Sequence, residues 1–194
     1  MARPRSEDKE SAIMSAAVRV IATHGLGAAT ATIAKTAGVS NGSLFTYFVT
    51  KADLFNAVFV ALKTELAAAV ADGLSARVGF SSAWDVQKQM RFVFAHWLHW
   101  SASYPEKRRA LAQLAVSDEI TVASRLTARQ AMEGIAAFLE RCRAKGAMRD
   151  APMVVVLTLV TAVMDAAVDL MISDPTQADQ HCALACDAMW HMLM

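Results

Sequence analysis

The chain has 194 residues, 55% of them apolar, and a formal net charge of +1. That length holds one ordinary domain, or a small head on a larger body, with a sizeable core. Near-neutral charge excludes a chain that is basic throughout, and three cysteines (Cys142, Cys182 and Cys186) exclude a disulfide framework.

Residues 1–5 read as a flexible basic arm, with no apolar signal-peptide run after them. Ser6 is placed to cap a first helix to His24, with Ile13, Ala16, Ala17, Val20 and Ile21 on one face. Thr30 is placed to cap a short second helix through Ala37, its hydroxyl accepting an orphan backbone N–H. Gly38 ends that helix because glycine tolerates a left-handed backbone. Val39 anchors the turn, and Ser40 caps a third helix through Phe48. A fourth helix starts near Lys51 and runs to about Leu74, and residues 75–82 read as a loop. The fifth runs from about Trp84 to Tyr104, and Pro105 opens a sixth to about Val116. The seventh spans about Asp118 to Lys145, closed by Gly146; the eighth spans Pro152 to near Ser173; the ninth runs from about Gln177 to the end. No strand alternation, repeat or low-complexity segment interrupts this pattern. The predicted class is therefore all-α: a three-helix head over 1–50 and a six-helix body over 51–194.

The second and third helices, joined by a turn with Gly38, have the punctuation of a helix-turn-helix, which lays its second helix in the DNA major groove. Charge agrees in sign. Residues 1–52 hold six Lys/Arg against three Asp/Glu (+3), and residues 53–194 hold thirteen against fifteen (−2).

The stretch GLGAATATIAKTAGVSNGSLFTYFVTKAD resembles the tetracycline-repressor (TetR) family. Gly25, Thr30, Ile33-Ala34, Ala37-Gly38-Val39-Ser40, Gly42, Leu44, Phe45, Tyr47-Phe48, Lys51 and Leu54 stand at the family's offsets. The resemblance implies a homodimeric, all-helical transcriptional regulator, usually a repressor released by a small molecule; the polar N-terminus, with no signal-peptide run, points to the cytoplasm. It further implies that the eighth and ninth helices of two subunits form a four-helix bundle. The sixth would touch the fourth and relay ligand binding through Leu111 and Leu114. Two positions depart from the pattern: Phe45 stands where the family has Tyr, and Asn41 where Lys or Arg is common. Both remove phosphate-binding capacity, while Phe45 keeps the packing.

Phosphate contacts position such a head and base contacts specify its site. Thr30, Tyr47, Lys51 and Lys9 are expected at phosphates, and Asn41, Ser43 and Thr46 at base edges, with Gly42 allowing close approach. Arg3 and Arg5 could reach a minor groove, or be solvated. Tyr47 could equally be a structural hydroxyl. Residues expected in a pocket for an apolar or aromatic molecule are Phe94, His96, Trp97, Trp100, Tyr104, Met132, Met164 and Asp165, core packing being the alternative for each. Residues expected at the dimer interface are Leu157, Val160, Met164, Leu184, Met189 and Trp190. Partners are thus double-stranded DNA, a small effector and a second copy; no cofactor and no bound metal are expected. A membrane span over Met153–Ile172 is disfavoured by Asp165 and Asp169.

Two rival classes have some residue support. Cys182 and Cys186, four apart with His181, Asp187 and His191 nearby, could bind a metal or sense redox state in a helical protein with weakened DNA binding. His96 and His99 with Asp165 or Asp169 could do acid–base work, but no catalytic motif accompanies them, so an enzyme is not expected.

Overall fold

The computed structural model describes residues 4–75 and 83–194, and side chains for 7–71 and 86–194. Arg3, the side chains of Arg5 and Ser6, and the predicted loop beyond Ser75 lie outside the described residues. Among the described residues all regular structure is helical. The elements are α1 (Pro4–His24), α2 (Thr30–Ala37), α3 (Asn41–Tyr47), α4 (Lys51–Ser75), α5 (Ala83–Ser103), α6 (Pro105–Ala115), α7 (Val122–Ala131), α8 (Glu133–Arg143), α9 (Met153–Ser173) and α10 (Ala178–Leu193), with a 3-10 turn over Pro175–Gln177.

The seventh predicted helix is two helices. At Met132 the backbone (φ −93°, ψ 2°) leaves the helical range. The amides of Ile135 and Ala136 then restart a helix on the Met132 carbonyl, at 3.1 and 3.0 Å. Gly134, inside an otherwise helical pattern, is the sequence mark of this break. Thr30 does not cap α2 as expected. Ala29 occupies the N-cap in an extended conformation without a side-chain bond, and Thr30 is the first helical residue.

Packing forms two compact units. One comprises the chain up to Thr64 together with Tyr104–Ala131; the other comprises Glu65–Ser103 with Met132–Met194. In the first, α1 packs on α2 and α6. Its stripe Ile13, Ala16, Ala17, Val20 and Ile21 is buried, as are Ala110, Leu111 and Leu114 of α6. The head helix that α6 chiefly meets is thus α1, where the resemblance pointed to α4. Gln113 Nε2 pins this contact by donating to the Ile21 carbonyl at 3.1 Å.

Asn56 on α4 ties the α6–α7 corner to the head. Its Nδ2 donates to the carbonyls of Ala52 and Glu119, both at 2.8 Å. Its Oδ1 accepts from the Thr121 amide at 2.9 Å and the Thr121 hydroxyl at 3.1 Å. Arg125 closes the corner by donating to the Ala115 and Ser117 carbonyls, each at 2.8 Å. Asn56→Ala removes all four bonds of that side chain, so urea unfolding is expected to show a loss of about 1–2 kcal/mol, with water replacing part of the set.

In the second unit α5, α9 and α10 pack on one another. Met90, Val93, Phe94 and Leu98 of α5 are buried, as are Val156, Val160, Met164, Val168 and Met171 of α9 and Cys186 and Met189 of α10. An Arg91–Asp187 ion pair links α5 to α10, with Arg91 Nε at 3.0 Å from Asp187 Oδ1. The hydrogen bond to Asp187 raises the Arg91 pKa.

Candidate nucleic-acid interface

The turn between α2 and α3 forms as its residue types require. Gly38 takes the left-handed conformation (φ 71°) that a Cβ would strain. The Val39 amide then reaches the Ala34 carbonyl at 3.0 Å. Ser40 caps α3, its Oγ accepting the Ser43 amide at 3.1 Å. Leu44 and Phe48 bury one side of α3, and Ile33 and Ala34 bury α2. The rest of α3 faces outward: Asn41, Gly42, Phe45 and Thr46 are exposed, and Ser43 and Tyr47 are half-buried.

The polar groups on this surface divide by what they already hold. The Thr46 hydroxyl donates back to the Gly42 carbonyl at 3.2 Å, so its proton is used within the helix. Among the described residues the Tyr47 hydroxyl makes no hydrogen bond, which leaves it available to an outside acceptor. The exposed ammonium of Lys9 likewise has no ion-pair partner among them. Arg19 and Lys35 share that state, and sequence reasoning passed over both; their positions opposite the buried stripes of α1 and α2 are the available signal. Lys51 is different. Its Nζ donates to the Leu26 carbonyl at 2.6 Å and lies 5.2 Å from the Phe55 ring centroid, so it clasps the turn before α2. Only its remaining N–H groups could meet a phosphate.

A Thr-x-x-Asp capping box, also passed over, starts α4. The Asp53 carboxylate accepts from the Thr50 amide at 2.9 Å and the Thr50 hydroxyl at 2.8 Å, while the Asp53 amide donates to Thr50 Oγ1 at 3.0 Å. Gly42 has no such internal reason to be what it is, since a Cβ there would meet nothing within 4 Å. Gly42→Ala is therefore expected to raise stability by roughly 0.5–1 kcal/mol in thermal melts. The same variant should bind DNA more weakly in a titration, because the added methyl stands on the approach side.

The residues expected to sense a ligand are distributed unevenly. Phe94, Trp100 and Met164 are buried. The Trp100 indole N–H donates to Glu65 at 3.1 Å. His96 and Trp97 are half-buried on α5. The His96 Nδ1–H donates to the Phe92 carbonyl at 2.8 Å, and its ring stacks on Phe92 with centroids 3.9 Å apart. Met132 is half-buried at the α7–α8 break. Tyr104 is exposed at the start of α6, with the Lys107 ammonium 4.4 Å from its ring centroid, and belongs to the first unit. Asp165 is exposed on α9. Thus Phe94, His96, Trp97 and Trp100 share α5, whereas Tyr104 stands at the start of α6 in the other unit. Lys63, also passed over, sits on α4 between buried Phe59 and Ala67, and burial lowers its pKa.

Of the six residues expected at a dimer interface, Val160, Met164 and Met189 are buried within their own unit. Trp190 is half-buried, while Leu157 and Leu184 are exposed. The three cysteines are buried. Burial pushes the Cys142 thiol up to about 11, and the hydrogen bond with Cys182, with burial, holds Cys186 far above the ordinary thiol range. Among the described residues no three His, Cys, Asp or Glu side chains stand together as a metal site.

Residues 13–58, from α1 into α4, match the bacterial regulatory proteins of the tetR family. The match is confined to the head, which is similar to that family. Solved tetR-family structures share its fold over nearly the whole length. A candidate tetR family transcription regulator from Shewanella sp. PV-4 aligns with 95% of this chain and 97% of its own, at 24% identity and a TM-score of 0.78. A TetR family transcription regulator from Marinobacter aquaeolei VT8 aligns with 97% and 96%, at 21% identity and a TM-score of 0.77. The TetR-like regulator LfrR from Mycobacterium smegmatis, solved in complex with proflavine, aligns with 94% and 95%, at 19% identity and a TM-score of 0.65.

Proposed function

We propose that this protein is a ligand-responsive transcriptional repressor of the cytoplasm. A homodimer would bind a palindromic operator through two copies of α3, and a small apolar or aromatic molecule would release it. The observation that carries this reading is the exposed outward face of α3, held in place by Leu44 and Phe48, in a head whose α1 and α2 carry unpaired cations. Lys9, Tyr47 and the Thr30 side of α2 would position the head on phosphates, joined by Arg19 and Lys35. Asn41, Ser43 and Thr46 would face base edges.

One head makes too few contacts for tight, specific binding, so a second must be held at a fixed spacing. The outer faces of α9 and α10 are suited to that. Val154, Val155, Leu157 and Leu159 of the apolar α9 are exposed, as is Leu184 of α10. The interface would be built from Leu157 and Leu184 rather than from Val160, Met164 and Met189. By length and composition α4 and α9 could cross a membrane. Exposed Asp165 and Asp169 on α9 favour a protein partner over lipid.

The effector would contact α5 through half-buried Trp97 and His96, with Phe94 and Trp100 behind them. The proflavine bound to LfrR is an aromatic molecule of the proposed class. Ligand binding would favour a dimer geometry whose heads are mis-spaced, with α6 carrying the shift to α1. The test is a titration against DNA from upstream of its own gene, at two salt concentrations with scrambled competitor. Preferential binding that weakens steeply with salt supports the reading. Failure to prefer any sequence over scrambled DNA, including from a randomised pool, overturns it.

A further inference from the structure

The outward face of α3 carries fewer polar readers than its place demands. Gly42 has no side chain, and the Thr46 hydroxyl has spent its proton on the Gly42 carbonyl. Next to them stand two apolar side chains in water: Phe45, 39% exposed, and Val49, 81% exposed just beyond the helix. Phe45 follows Asn41 by four residues, so the two lie on one edge of α3, a turn apart. Leu44 and Phe48 are buried on the inner side, whereas Phe45 leaves part of its ring exposed.

A phenyl ring without a hydroxyl cannot donate to a phosphate. In the major groove the apolar group that distinguishes one base pair from another is the thymine 5-methyl. We propose that Phe45, with Val49 beside it, specifies thymine through that methyl, next to an adenine read by Asn41. This rests on the proposed DNA-reading function and adds the base that the apolar side chains select.

The experiment selects duplexes from a randomised pool with the full-length protein. Each thymine of the selected half-site is then replaced by deoxyuridine, which differs only in lacking the methyl. One position per half-site is expected at which the replacement weakens binding roughly fourfold, the value of one buried methyl-sized group. The slope of affinity against salt should stay unchanged, since no phosphate contact is lost. Phe45→Ala is expected to bind the thymine and deoxyuridine duplexes equally, and Phe45→Tyr to keep the discrimination. The wild-type comparison stands even where a variant fails to fold. A selected half-site with no methyl-sensitive position, or full discrimination retained by folded Phe45→Ala, overturns the assignment while leaving DNA reading intact. A pool from which nothing is selected overturns both.

Discussion

Leu157→Glu combined with Leu184→Glu is expected to halve the mass measured by light scattering and to weaken operator binding at least ~100-fold, the avidity lost when two linked sites become one. Both side chains are exposed, at 42% and 60%, so the substitutions need not disturb the unit's own core. Neither α9 nor α10 contains a lysine or arginine, while Asp165 and Asp169 already stand on α9. Four new carboxylates in the symmetric interface would therefore meet carboxylates and find no cation on either helix. An unchanged helical spectrum together with the smaller mass would place the defect in assembly. A double variant that remained dimeric would move the interface to another surface.

Phe94→Ala is expected to lower the melting temperature by ~6–20 °C, from a 3–5 kcal/mol cost of truncating a buried phenyl group in a chain of this size. Phe94 is fully buried, at 0% exposure, in the unit where α5, α9 and α10 pack together. Removing the ring leaves a cavity that helices on several sides cannot all close. Half-buried Trp97 gives the contrast. Trp97→Ala should change effector affinity with a smaller thermal shift, measured by differential scanning calorimetry with and without ligand. Equal melting temperatures for wild type and Phe94→Ala would mean that the ring lines a space already open to solvent.

Features set by neighbours in the chain were legible from residue types alone. The Ser40 cap and the left-handed Gly38 are single-residue requirements, and both stand where they were expected. Local signals failed where two conformations differ by little. Thr30 could cap or begin a helix, and Ala29 took the cap with no side-chain bond. Hydrogen bonds between distant residues left no trace in periodicity. Lys51 reads as a surface cation until Leu26, 25 positions earlier, is brought to its ammonium. Asn56 meets Thr121 across 65 positions. On α9, apolar nearly all round, the pattern does not say which side faces its own unit. That is why Val160 and Met164, buried at home, were grouped with exposed Leu157.

The stitching of α6 and the α6–α7 corner onto α1 and α4 bears on how this protein could be re-engineered. A chimera that exchanged only the first fifty residues for those of a relative would keep a backbone acceptor for Gln113 but set a foreign α1 face against the seam where Ala110, Leu111 and Leu114 pack. The transplantable module is discontinuous, two stretches of chain closed over one seam. An exchange of operator preference would have to carry Tyr104–Ala131 along with the head, or confine itself to the outward residues of α3.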